Sequence, residues 1–389
     1  MSMYPPAPEP KSLLGYHRIL SPTAGVRVSP LCLGTANFGE AWKNFIGECS
    51  KDTTFAILDH FYGNGGNFID CANNYQAEES EIWVGEWLKK NSNRDEIVLA
   101  TKFTSGYRTN GATEKIKSNF QGNQSKSLRL SLNDSLKKLQ TDYVDLLYVH
   151  YWDYTTSIPE LMNSLHALVT AGKVLYLGVS DTPAWVVVKC NDYARFHGLT
   201  QFCVYQGHWS AAFRDFEREI LPMVEAEGMA IAPWGALGRS MFKSAEEYNA
   251  ADREGRKTGP QSETHRKVAM KLEEIAKKKD TAITSIALVY VMHKAPYVFP
   301  VVGGRKVEHL QGNIEALGIK LTQEEIDEIE DTVPFDVGFP QSFLFSGKPY
   351  RSRYTPADMP LVITNTALES QPKPQAIEPR QREKKTEQE

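Results

Sequence analysis

Long hydrophobic runs are missing from the 389 residues. No stretch approaches the roughly 18 consecutive apolar residues of a membrane span. The opening MSMYPPAPEPK is proline-rich and lacks the apolar core of a secretory signal, so a soluble, cytoplasmic protein without a membrane partner is expected. Charge of one sign is missing too. Lys and Arg number 44 against 48 Asp and Glu, a net charge of −4. That balance offers no basic surface for nucleic acid. Cysteine is sparse. Cys32, Cys49, Cys71, Cys190 and Cys203 lie far apart with no CxxC pair, which argues against a metal cluster. They fall mostly in apolar strand-like runs and are expected as reduced core residues. No HxH stands on any strand-like run, as a metal-dependent barrel hydrolase would require. No GxGxxG follows the first apolar run, which weighs against the open doubly wound sheet that binds dinucleotides.

What is present is ordinary globular material, 41% hydrophobic and 24% charged. Eight short apolar runs recur: Ser29–Thr35, Asn67–Ala72, Glu96–Phe103, Tyr143–Tyr151, Val174–Asp181, Phe202–His208, Met229–Ala236 and Tyr297–Gly304. They do not alternate with polar residues, as expected of strands buried on both faces in a parallel sheet. Helical patterns lie between them: Ser127–Gln140, Ala184–Gly198 and Arg218–Gly228, the last two ending in a glycine C-cap, the third with Pro222 in its first turn. The repetition predicts an α/β fold, a closed (β/α)8 TIM barrel, with the doubly wound sheet as alternative. Tyr16–Ser29 reads as an N-terminal β-hairpin plugging the barrel floor. Two polar, glycine-containing insertions, Thr104–Gln124 and Gly238–His265, follow the third and seventh strands and form long loops on the C-terminal face. The expected organisation is a flexible segment over 1–15, a single barrel with C-terminal extension over 16–366, and a disordered tail over 367–389.

In a barrel the C-terminal strand ends face one site. The second run ends at Asp70, with Tyr75 in the loop beyond; the third ends at Lys102, the fourth at His150. Each alone has an ordinary reading: a turn carboxylate, a solvated lysine, a hydrogen-bonded histidine. Four at consecutive strand ends form a group, because buried charges are rare unless paired. A tyrosine hydroxyl with a pKa of about 10 is a weak acid near neutrality, and a neighbouring ammonium lowers that value. Lys102 is expected to do so, with Asp70 keeping it protonated and oriented. His150 is placed to donate to a substrate oxygen or share in proton transfer. Such a site protonates a developing alkoxide. The matching hydride is beyond any side chain, so a nicotinamide cofactor is implied.

In order and spacing, the stretches LGT (33–35), FIDCANNY (68–75), ATKF (100–103), VHYWD (149–153), GVSD (178–181), VYQ (204–206), APWGALGR (232–239) and GGRKVEHLQGNI (303–314) resemble the aldo-keto reductase superfamily. The fungal aryl-alcohol dehydrogenase and norsolorinic acid reductase-like enzymes are the nearest branch. The resemblance spans roughly residues 16–332. It implies an NADP-dependent oxidoreductase, with Tyr75 the general acid and Asp70, Lys102 and His150 completing a tetrad. Ser180 and Gln206 would bond the nicotinamide carboxamide, Trp234 would stack on the ring, and Thr35, Ala36 and Asp70 would border it. Gly235, Ala236, Leu237, Gly238 and Arg239 would wrap the pyrophosphate, with the insertion beyond them as a belt. Gly304, Arg305 and Lys306 open a helix where the family places the adenosine 2′-phosphate, and His309 and Asn313 match further adenosine contacts. Helix N-termini and arginines both suit phosphate, so NADP(H) is expected over NAD(H).

The chain departs from the family pattern at three points. Asp181 replaces the usual Asn after Ser180 and brings a negative charge near the carboxamide. Gly312 replaces an acidic adenine contact. Ala36 stands where a larger side chain is frequent, leaving a wider pocket. Pocket walls are expected from Phe38, Trp42, Tyr107, Tyr151, Trp152 and Trp209. That aromatic density suits a flat, apolar carbonyl compound, an aryl aldehyde or a polyketide ketone. The rival from another class is a cofactor-binding regulatory subunit of the same fold with little turnover. Monomer and homo-oligomer are both compatible with the residues.

Overall fold

The computed structural model describes residues 4–108, 113–244, 246–247 and 261–380. Its strands are β1 (Arg18–Ser21), β2 (Ala24–Val28), β3 (Cys32–Gly34), β4 (Phe68–Asp70), β5 (Val98–Phe103), β6 (Val144–Val149), β7 (Val174–Ser180), β8 (Phe202–His208), β9 (Ala230–Trp234) and β10 (Val301–Val302). The last eight close in the order β10-β3-β4-β5-β6-β7-β8-β9. All eight run parallel, and pairing of Val301 with Cys32 on one side and Trp234 on the other shuts the ring. The open sheet is thereby excluded; the fold is an α/β (β/α)8 TIM barrel.

Several strands are shorter than the apolar runs that announced them. The run from Tyr297 shrinks to β10 because Pro300 has no N–H to give the ladder; Phe299 still donates to the Ile231 carbonyl just before it. The helix expected over Ser127–Gln140 spans Ser125–Leu139. The other two are Ala184–His197 and Ile220–Glu227, and each ends on a glycine in the left-handed region, Gly198 at φ 66° and Gly228 at φ 64°.

β1 and β2 form the expected antiparallel hairpin. Leu20, Ala24 and Val28 of that hairpin pack with Phe68, Val98, Leu146, Val204, Ala230 and Phe299 inside the barrel, so the floor is closed by apolar side chains. The larger core lies between the barrel wall and the helices. All five cysteines are buried and unbridged. No helix among the described residues is long and apolar enough to cross a membrane.

Described residues near each chain end contact the barrel. Leu14, inside the segment expected to be flexible, is fully buried, and Ser12 donates to the Asn64 carbonyl at 2.7 Å. The tail beyond residue 367 carries no helix or strand to Arg380. Lys373 pairs with Glu225 at 2.9 Å, Glu378 with Lys320 at 2.8 Å, and Arg380 lies over the Tyr16 ring. Residues 381–389, and parts of both insertions, lie outside the described residues.

Candidate active site

Side chains alternate across a strand. On β5 the inward positions are Val98 and Ala100, and the next is Lys102; on β4 Phe68 points in, and the next is Asp70. The same step carries β6 from Leu146 and Tyr148 to His150, β8 from Val204 to Gln206 and His208, and β9 from Ala230 and Ala232 to Trp234. The apolar interior therefore ends, at the C-terminal rim, in a layer of charged, polar and aromatic groups.

Lys102 holds that layer together. Its Nζ, with no solvent exposure, donates to Asp70 Oδ2 at 2.5 Å, to the Cys71 carbonyl at 2.8 Å and to the Tyr75 hydroxyl at 3.4 Å. Asp70 Oδ1 accepts from Gln206 Nε2 at 3.1 Å. The His150 ring meets the Tyr75 ring edge-on at 5.9 Å, and its Nδ1 lies 3.2 Å from Ser105 Oγ. The four expected residues thus share one rim.

Their protonation follows from burial and from one another. Burial alone would lower the Lys102 amine; Asp70, and then the Tyr75 phenol, outweigh it and hold the ammonium above the ordinary lysine value. Burial raises the Tyr75 phenol, and the opposing pull of Lys102 recovers only part of that rise. The expectation of a net lowering is therefore corrected: the ammonium acts in the expected direction but does not win, because protein crowds the hydroxyl although the ring edge reaches the cleft. His150 is pushed down to about 3 by burial and by Lys102, so the imidazole is neutral. Where Ser105 donates to Nδ1, the remaining proton sits on Nε2 and faces the cleft.

Tyr75 is fixed by the turn that follows it. Gln76, Ala77 and Glu78 take φ of 52°, 50° and 84°, three consecutive non-glycine residues in the left-handed region. Side chains from this turn and the helix after it pin it to its neighbours. Gln76 donates to the Ala36 carbonyl at 3.1 Å and accepts from the Trp42 N–H at 2.7 Å. Glu79 accepts the Glu40 N–H at 2.7 Å. Glu78 accepts the Arg108 N–H at 3.0 Å. Nothing in the alternation of apolar and polar residues announces this clamp.

The expected cofactor residues ring the same rim. Thr35 is fully buried, its hydroxyl donating to the Asp70 carbonyl at 3.1 Å and accepting from Ser80 at 2.7 Å; it braces the strands. Ser180 Oγ is buried, and its hydroxyl bears on the Asp181 carboxyl that follows it. Trp234 stacks on His208 with centroids 4.3 Å apart and planes 5° from parallel, and His208 stacks in turn on Phe213 at 4.1 Å. Gly235, at φ 76°, lets the chain leave this stack; a Cβ there would strike the His208 ring. Arg239 stands 5.5 Å from the Trp234 ring centroid. Ala236 and Gly238 are buried, with Leu237 half-buried between them.

Burial raises the Asp181 carboxyl to about 6, against the pull of its bond from Trp234 Nε1 (3.2 Å) and of Lys102. Water reaches that carboxylate from the cleft although protein surrounds most of it. Across the rim, Asn37 Nδ2 donates to the Gly304 carbonyl, and the Arg305 guanidinium lies where a side chain on Gly47 would have to go. Lys306 stands at the N-cap position of the helix Val307–Ala316, whose first turns carry His309 and whose inner face buries Asn313.

The expected pocket walls divide. Trp42 meets Tyr75 edge-on at 6.4 Å, and Tyr151 lies 6.1 Å from His150. Trp152 packs half-buried on the outer core. Phe38 is fully buried in the core. Tyr107 turns its hydroxyl to Asp134 at 2.9 Å, and Trp209 gives its N–H to the buried Glu217 at 3.1 Å while stacking on Phe216. The polar handles of those two rings draw them toward carboxylate acceptors, half-buried Asp134 and buried Glu217, and away from the rim. His208, Phe213, Ser105 and Gln76 were not anticipated. His208 was within reach, since it is the next inward position after Gln206 on β8.

Residues 30–333 match the profile of the aldo/keto reductase family. The chain is 65% identical over 379 residues to norsolorinic acid reductase A of Aspergillus parasiticus, covering 97% of each protein. It is 53% identical over 349 residues to a putative aryl-alcohol dehydrogenase of Saccharomyces cerevisiae, covering 88% of this chain and 93% of that one. It is 49% identical over 362 residues to the aryl-alcohol dehydrogenase [NADP(+)] of Phanerodontia chrysosporium, covering 90% and 94%.

Proposed function

The chain belongs to the aldo/keto reductase family, and on that premise we propose that it interconverts an aromatic or polyketide-type aldehyde or ketone and its alcohol, with NADP(H) as cofactor and Tyr75 as proton donor and acceptor. One observation carries this reading: a fully buried ammonium, Lys102, bonds to both a carboxylate and a phenol that opens on the cleft.

The rim residues suit a nicotinamide. Ser180 offers a buried hydroxyl beside Asp181, and Trp234 offers an indole whose plane is held by His208 behind it and Asp181 beside it. A reduced nicotinamide, when bound, supplies the hydride. The chain's own residues handle the proton. Asp70 keeps Lys102 charged and aimed. Tyr75 Oη passes its proton to the substrate oxygen as the carbonyl becomes an alcohol, and Lys102 stabilises the phenolate left behind. In the reverse direction that phenolate is the base. Neutral His150 orients the substrate oxygen without competing for the proton. Arg305 and Lys306 at a helix start favour the 2′-phosphate of NADP(H), in keeping with the NADP(+) in the name of the Phanerodontia relative. Trp42 and Tyr151 flank the Tyr75–His150 pair and favour a flat substrate.

The test is NADPH oxidation by a panel of aryl and aliphatic carbonyls, followed by absorbance. Tyr75→Phe should lower kcat by about 10²–10⁴, the usual worth of a general acid, with NADPH affinity unchanged. Full turnover by that variant removes Tyr75 from the role. A wild type that binds NADPH but reduces nothing in the panel supports the regulatory subunit instead.

A further inference from the structure

Asp181 carries a carboxylate exposed at the rim, and the fold holds it in place there. It follows Ser180 at the C-terminal end of β7 with φ at 39°, in the left-handed region that a non-glycine residue enters rarely. Its backbone N–H donates to the Gln206 carbonyl at 3.1 Å, which anchors the turn to β8. Its Oδ1 accepts the Trp234 indole N–H at 3.2 Å. An acceptor of an indole N–H lies near the plane of the ring. One face of that ring is taken by His208. A flat heterocycle stacked on the other face therefore has the Asp181 carboxylate at its margin.

We propose that Asp181 is a specificity-determining carboxylate that makes the site hold the oxidised nicotinamide nucleotide, whose ring is cationic, more tightly than the reduced one, whose ring is neutral. The inference rests on the function proposed above. Two cations stand nearby: Lys102 acts on it from β5 but is committed to Asp70 at 2.5 Å, and Arg239 stands 5.5 Å from the Trp234 ring centroid. Across a part-solvated cleft, a single charge next to a cationic ring changes affinity by about tenfold.

The preference has a direction. Carbonyl, reduced nucleotide and a proton give alcohol and oxidised nucleotide. The ratio of the two nucleotide affinities and the redox equilibrium of the bound couple belong to one thermodynamic cycle. Favouring the oxidised form therefore makes the bound reduced form the stronger hydride donor, and the on-enzyme equilibrium leans toward alcohol.

The decisive measurement is a pair of dissociation constants, for NADP+ and NADPH, from quenching of protein fluorescence with no carbonyl present. Asp181→Asn keeps the shape and an oxygen for the Trp234 N–H but removes the charge. It should weaken NADP+ about tenfold while moving NADPH less than about twofold. Asp181→Ser, a smaller uncharged replacement, should shift the ratio the same way even if both affinities also fall. If Asp181 only braces Trp234, both constants move together in Asp181→Ser and neither moves in Asp181→Asn, and the proposal is overturned. Should the wild type bind neither nucleotide, the proposed function fails, and this inference with it. Binding of both with an unchanged ratio sinks only the role of Asp181.

Discussion

Replacing Lys102 with methionine keeps the length of the side chain and removes its charge. In the native protein the amine has no solvent exposure and its partner Asp70 has 2%. After the exchange, Asp70 keeps the bond from Gln206 at 3.1 Å and loses its cation, while the Cys71 carbonyl loses a donor. Breaking a buried ion pair from one side costs about 3–5 kcal/mol, most of it the penalty of a stranded charge. At about 2.1 cal/mol/K per residue, 389 residues carry an unfolding entropy near 0.8 kcal/mol/K. The melting temperature should then fall by ~4–6 °C. A second exchange makes the argument specific. Asp70→Asn combined with Lys102→Met removes both charges, and the double variant should melt above Lys102→Met alone. Neither variant should reduce a carbonyl. Thermal scans of the three proteins decide it. A Lys102→Met protein that melts within about 1 °C of wild type, or a double variant no better than the single, would mean that the ammonium is not sealed against the carboxylate, and the account of the Tyr75 proton would go with it.

Two further outcomes follow from the same geometry. Arg305→Ala should weaken NADPH by about 10–100-fold, the worth of one or two charge-assisted bonds to a phosphate, and leave NADH nearly untouched; equal losses for both nucleotides would count against a 2′-phosphate contact. His150 gives a pH signature. Its folded pKa of about 3 lies below the ordinary 6.5, because burial and Lys102 oppose its charging. Above pH 6.5 it is neutral folded and unfolded, and its contribution is fully present. As pH falls toward 3 the unfolded chain takes up a proton that the folded protein refuses, so stability is lost. Between pH ~6.5 and ~4.5 wild type should lose ~2 kcal/mol more than His150→Gln in urea unfolding. His208, pushed down to about 4 by burial and by Arg239, is common to both proteins and cancels. Parallel stability curves would refute the assignment.

The barrel was legible because each strand is buried on both faces and so reads as an unbroken apolar run. The site's core was legible because Asp70, Lys102 and His150 interrupt those runs where a barrel opens. The balance on Tyr75 was not legible. Whether burial or a neighbouring ammonium wins depends on distances that residue order does not contain, and 3.4 Å from a lysine already committed to Asp70 is a weak grip. Asp181 likewise had no reason in the sequence; its reason is the N–H of Trp234, 53 residues further on. Tyr107 and Trp209 looked like pocket walls because an aromatic near a rim carries no sign of which way it turns. Half-buried Asp134 and buried Glu217 settle that, and neither neighbours its partner in sequence.

The C-terminal extension also takes on a part that its composition hides. Beyond the helix Gln323–Asp331, Arg351 is buried and bonds Glu330 at 3.2 Å and Asp331 at 2.6 Å. Glu330 also pairs with Lys294, which lies 3.1 Å from Glu217, and Arg214 holds Glu217 at 2.8 Å. Three cations and two carboxylates are thus shut away together behind the end of β8. Such a cluster adds little net stability, since desolvation consumes most of its attraction. Its value lies in geometry, because each charge has only one arrangement in which all are satisfied. The Trp209 N–H ends on Glu217 at 3.1 Å, and the residue before Trp209 is His208, the ring on which Trp234 rests. The extension, the buried ions and the platform beside Asp181 form one continuous chain of contacts. A barrel strand places the indole at the rim, and the ring behind it is backed in turn by a buried ion cluster.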